Sequence, residues 1–154
     1  MQSRVRSCVR SHVAAFTILL GAAALGGCGK KAGPPSPPPP AHVDGTPHTD
    51  AVLDAWRSAG LKPEGFTTLA PPPYVATFCE RGTVSGVDTT VCEYADDGAL
   101  DRGQQQIKDE WARTGVHTGV VVRGKRTVLS AVDHELHDPN GKTINQLVQT
   151  FRKL

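Results

Sequence analysis

The stretch Cys79-Glu80-Arg81-Gly82-Thr83-Val84-Ser85-Gly86-Val87-Asp88-Thr89-Thr90-Val91-Cys92 decides the fold of this chain. Residues 74–83 and 87–94 have strand character, and Ser85-Gly86 is a turn signal between them. With Ser85-Gly86 as a two-residue hairpin loop, Val84 opposes Val87, and counting outward sets Cys79 opposite Cys92. Hydrogen-bonded and non-hydrogen-bonded pairs alternate, and the cysteines fall on a non-hydrogen-bonded pair, where Cα atoms approach to about 4.5 Å. That lies within disulfide range, so turn and register together predict a Cys79–Cys92 staple. A redox-active dithiol or a metal-thiolate pair has less support, because there is no Cys-x-x-Cys and no histidine near either cysteine in sequence.

Beyond the hairpin, Asp96-Asp97 precede a predicted helix over 99–113, where acidic residues suit the positive end. Leu100, Ile107 and Trp111 line one face with Gly103, and Gly115 stops the helix. Glycine inside a helix costs stability, so close packing is expected at Gly103. A second hairpin is predicted from 116–123 and 126–132 around a Gly124-Lys125 turn of type II′, which glycine at the first loop position favours. Its tip gathers Arg123, Lys125 and Arg126. That cluster reads first as a charged, protected edge, and second as a site for an anionic group such as a phosphate, a uronic acid or an acidic partner.

The segment Asp133-His134-Glu135-Leu136-His137-Asp138 has the residue types of a metal site, with His117 a further imidazole. Its spacing is not His-Glu-x-x-His, and Pro139-Asn140-Gly141 marks a turn, so a solvated polar connection is preferred over a site at His134 and His137. From Thr143 onward, Ile144, Leu147, Val148, Phe151 and Leu154 form one helical stripe that must pack on a sheet.

Upstream of the first hairpin, residues 50–59 read as a helix capped by Thr49 or Asp50, with Val52, Trp56 and Ala59 at helical spacing. Gly60-Leu61 suits a left-handed stop followed by an apolar residue. Residues 66–69 are extended, and Pro71-Pro72-Pro73 make that piece an edge at best. The expected fold is therefore α+β, in the order α-(β)-ββ-α-ββ-α, with an antiparallel four-stranded sheet of two hairpins and helices on one face. Residues 49–154 form this one domain.

Ahead of the domain, residues 29–48 lack apolar periodicity, and six of the seven residues 34–40 are proline. Such a run settles into extended polyproline II and reads as a spacer, at about 3.1 Å per residue, rather than as a docking ligand. Earlier still, Arg4, Arg6 and Arg10 precede an apolar run over 13–25, the pattern of a secretory signal peptide. The run is too short for a permanent span, which takes about 18 apolar residues or more.

At the end of that run, Leu25-Gly26-Gly27-Cys28 resembles the lipobox of bacterial lipoproteins. The resemblance covers residues 1–28 only. It implies that 1–27 are removed, that Cys28 is acylated, and that 28–48 tether the domain to a lipid bilayer. Because Gly29, not Asp, follows the cysteine, the resemblance points to the outer membrane facing the periplasm rather than inner-membrane retention. More than one acyl chain makes such an anchor stable. Once the three arginines leave, 14 Lys and Arg face 15 Asp and Glu, and no basic face interleaved with aromatics suggests nucleic acid. An exported compartment also permits Cys79 and Cys92 to pair.

No Gly-x-Ser-x-Gly elbow, phosphate-cradling glycine loop or haem attachment motif is present. The sequence thus predicts an anchored, noncatalytic envelope module without a cofactor, binding a protein or cell-wall component. A small-ligand or metal-binding module, using the open sheet face or the His134/His137 region, is the alternative.

Overall fold

The computed structural model describes residues 39–116 and 118–154. The expected signal peptide 1–27, the expected lipidation site Cys28, the expected tether as far as residue 38, and His117 lie outside the described residues. Among the described residues no helix is long and apolar enough to cross a membrane.

The chain runs α1 (Thr49–Ser58), β1 (Pro63–Thr68), β2 (Phe78–Val84), β3 (Val87–Glu93), α2 (Asp97–Thr114), β4 (Gly119–Arg123), β5 (Thr127–Val132) and α3 (Lys142–Phe151). The strands form one antiparallel sheet in the order β1-β2-β3-β5-β4. The α+β class and the succession of elements follow the sequence reading. The sheet, however, has five strands where four were expected. The early extended piece is a full edge strand: Pro63 opposes Val84 and Thr68 opposes Glu80, with the register shifting between Glu64 and Thr67. Pro71-Pro72-Pro73 fall after this strand, so no ladder hydrogen bond is lost to them, and Pro63 opens it at an edge where a missing N–H is tolerated.

The β2–β3 register is the one read from the turn, with Val84 opposite Val87 and Cys79 opposite Cys92. The two sulfurs are bonded, with the Cα atoms 4.1 Å apart. Both turn residues, Ser85 and Gly86, have positive φ, matching a type I′ loop whose twist suits paired strands.

The helices do not share one face of the sheet, as expected from sequence; they cover both. Val84, Val87, Val91, Val122, Leu129 and Ala131 pack against α1 and α3, through Val52, Leu53, Trp56, Leu147 and Phe151. Alternate strand positions, Cys79, Cys92 and Val128, pack with Tyr94 against Ala99, Leu100 and Ile107 of α2. The cause lies in β5, whose six residues are all buried, and in β3, buried everywhere except Asp88. A strand without polar alternation has no face for water, so an element must cover each side.

The helix ends carry the expected chemistry. Gly60 has φ +82°, and the N–H groups of Gly60 and Leu61 donate to Arg57 O and Trp56 O, the paired bonds of a Schellman stop. Asp96 caps α2 by accepting from Ala99 N at 2.7 Å, and Gly115, with φ +72°, ends it. The cap of α1 comes from elsewhere. Neither Thr49 nor Asp50 supplies it; the Glu93 carboxylate, wholly buried at the end of β3, accepts from Thr49 N at 3.0 Å. Glu93 also accepts from Val43 N and from Nδ1 of His42. His42 stacks on His48 and tilts against Phe78. Residues 42–48, read as the end of the tether, are thereby held against the sheet.

The second hairpin differs by one position from the expected turn. Arg123 opposes Val128, and Gly124 N donates to Thr127 O at 2.7 Å, so the loop is Lys125-Arg126. Opposed residues change by two, which leaves every side chain on the same face. Gly124 is not in the left-handed region; Arg126 is, with φ +52°. A Cβ at Gly124 would lie 3.0 Å from the Phe151 ring, so this glycine serves close packing against α3 rather than the turn. Gly103 likewise admits the Tyr94 ring and the Tyr74 backbone to the surface of α2, the close approach its helical position implied.

Candidate functional site

Helix α2 lies over β4, β5 and the Tyr94 end of β3, leaving the neighbouring part of that sheet face uncovered. A cleft of about 400 Å³ opens there. Its floor is made by the buried hydroxyl residues Thr90 of β3 and Ser130 of β5, beside Val132. Arg81 and Asp88 rise from β2 and β3 on one side, and Glu110, Trp111 and Thr114 descend from the last turns of α2 on the other. Tyr74 and His134 complete the rim.

The strands place these groups by period-two alternation: Arg81, Asp88, Thr90 and Ser130 all fall on the α2 side of the sheet. Arg81 opposes Thr90, and its Nε donates to Thr90 Oγ1 at 3.2 Å. Tyr74 is positioned by an unusual backbone: it and Val75 both occupy the left-handed region, with φ +57° and +53°. For side-chain-bearing residues this costs about 1–2 kcal/mol each. Burial, followed by the neighbouring Glu110 carboxylate, raises the Tyr74 phenol above its usual range, so the hydroxyl stays protonated as a donor at the rim.

The residues singled out from sequence separate. Arg123 lies on the α2 side and pairs with Asp97 and Asp101 of that helix. Arg126 turns the other way and donates to the carbonyls of Ala95 and Asp44, at 2.9 and 2.6 Å. Lys125 lies near Gly45, Thr46 and Leu154, beside the Asp44 carbonyl that Arg126 holds, while Arg123 is engaged by α2. The three cations thus do not converge on one point.

The Asp133–Asp138 segment is organised by its acids rather than its imidazoles. The buried Asp133 carboxylate accepts from His137 N at 2.9 Å and Asp138 N at 2.7 Å, and Asp138 in turn caps α3 by accepting from Ile144 N. His134 faces the cleft, whereas Nδ1 of His137 donates to Gly86 O at 3.2 Å. Among the described residues, no three His, Cys, Asp or Glu side chains are grouped to hold a metal ion.

Sequence reasoning named the open sheet face and His134 but missed Arg81, Asp88 and Glu110. A signal existed: the hairpin register already set Arg81 and Asp88 on one face, diagonal to each other. Glu110 carried none, since only the packing of α2 brings it near. No family model, curated protein or solved structure matches this chain.

Proposed function

We propose that this chain is a lipid-anchored, noncatalytic binding module of the bacterial envelope, and that its binding face is the cleft between α2 and the sheet. The observation that carries the reading is the cleft itself, roofed on one side by α2 and rimmed by Tyr74, the first of two consecutive left-handed residues. Backbone held in a costly conformation persists where surrounding structure demands it, and such positions gather at ligand-binding sites. The lipobox resemblance supports the anchor, and the proline run supports a spacer that carries the cleft to a component of the envelope.

Cross-linking in the native host tests this. The full-length anchored protein, with a photoreactive residue at the exposed cleft position Thr114, is expected to capture a reproducible envelope component. Arg81→Ala with Asp88→Ala, both exposed positions, should abolish that capture while the protein stays folded and membrane-associated. Capture unchanged by the double substitution would move the binding face elsewhere and refute the assignment.

A further inference from the structure

We infer that the cleft takes a ligand carrying both an ammonium and a carboxylate on one small frame, an amino acid or a short peptide. This rests on the cleft being the binding face. Arg81 opposes Thr90, and Asp88 lies two residues away along β3, so the two opposite charges are diagonal neighbours on one face. Such neighbours lie about 7–8 Å apart. Arg81, Asp88 and Glu110 nevertheless form no ion pair with one another or with any other side chain among the described residues.

The geometry supplies complementary ends. The Nε bond to Thr90 fixes the Arg81 guanidinium plane and leaves its terminal nitrogens free to receive a carboxylate side by side. Asp88 and Glu110 accept only, so they suit an ammonium, whose protons are all donors. One cation against two carboxylates disfavours a phosphate, and the presence of Arg81 disfavours a simple cation. Thr90 and Ser130 offer hydroxyls beneath, while Trp111, Val116 and Val132 form an apolar wall for the ligand's own side chain.

The test is a titration of the isotope-labelled, acylated chain in detergent micelles, followed by NMR at the Asp88 and Thr90 amides and the Trp111 indole. The probes are alanine, the dipeptide Ala-Ala, and N-acetylalanine amide, which has neither charge. Saturable shifts are expected with alanine or Ala-Ala, about tenfold or more tighter than with the capped probe. Saturation by alanine identifies free amino acids as the source, and saturation by Ala-Ala alone identifies short peptides. Arg81→Gln and Asp88→Asn should each weaken the charged probes about tenfold and leave the capped probe unchanged. Equal binding of the capped probe would keep the cleft as the binding face but overturn the zwitterion. Silence with all three probes would overturn the ligand class, while the host cross-linking separately decides whether the cleft binds at all.

Discussion

The Glu93 carboxylate accepts a 2.7 Å hydrogen bond from Nδ1 of His42, a residue 51 positions earlier in the chain. The same carboxylate takes the amides of Val43 and Thr49 and lies 3.4 Å from the hydroxyls of Thr46 and Thr49. One buried acid therefore ties the segment entering the domain to the sheet and caps the first helix.

Replacing Glu93 with alanine leaves several buried donors without an acceptor, and bonds to a charged group contribute about 1.5–3 kcal/mol each. Glu93→Ala is expected to lower stability by about 3 kcal/mol in urea denaturation. Hydrogen exchange at the Val43 and Thr49 amides should speed up even where the sheet stays protected. A loss below about 1 kcal/mol would show that residues 42–49 are held by something else.

The staple can be tested apart from the register that places it. Cys79 and Cys92 are 13 residues apart, and a cross-link closing a loop of roughly this size stabilises by about 3 kcal/mol through the unfolded chain. Converting both cysteines to serine is expected to cost about 2–4 kcal/mol and lower Tm, while cross-strand NOEs between Val84 and Val87 persist. Loss of those contacts would mean that the bond, not the turn, sets the pairing.

The register was legible because a two-residue turn and a period of two leave no freedom: once Ser85-Gly86 is the loop, every partner on β2 and β3 follows. Helix stops were legible for a similar reason, since Gly60 and Gly115 meet a local backbone demand. The two-sided sheet was written less openly. Val128-Leu129-Ser130-Ala131 lacks alternation, but a short apolar run does not say which elements will cover it. Glu93 was hidden because a charged residue at a strand end usually marks the return to solvent, and its partners are far away in sequence. The cleft was hidden in the same way. Its residues come from β2, β3, β5, α2 and three loops, and only the placement of α2 over one part of the sheet brings them together.

Tyr94 gives the fold a sensitivity to alkali. Its hydroxyl is buried and has no hydrogen-bond partner among the described residues. Burial, followed by the nearby Tyr74, pushes its ionisation well above the ordinary tyrosine value. A group whose folded pKa is raised contributes stability that is complete below the unfolded value, about 10, and is lost as pH climbs past it and through the folded value. Stability should therefore be flat from pH 7 to 9 with respect to this residue and fall above about pH 10. Tyr94→Phe removes an unsatisfied buried hydroxyl, so it is expected to raise stability by about 1 kcal/mol and flatten the alkaline slope. Parallel alkaline curves for the two proteins would rule Tyr94 out as the source.

Val75 offers a way to separate stability from binding. It is β-branched, 49 % exposed, and held at φ +53° directly after Tyr74. An exposed side chain contributes little packing, whereas the left-handed backbone costs about 1–2 kcal/mol that glycine does not incur. Glycine gives back part of this by loosening the unfolded chain, about 0.5–1 kcal/mol. Val75→Gly is therefore expected to stabilise the domain by about 0.5–1 kcal/mol. If the strained pair serves to aim Tyr74 into the cleft, the same substitution should weaken cleft binding severalfold, because the relaxed loop no longer prefers one orientation of that ring. Thermal denaturation and the probe titration, run on the same protein, read the two effects separately. A gain in stability with binding unchanged would leave the strain without a part in recognition, and a loss of stability would show that the packing of Val75, not its backbone, decides its place.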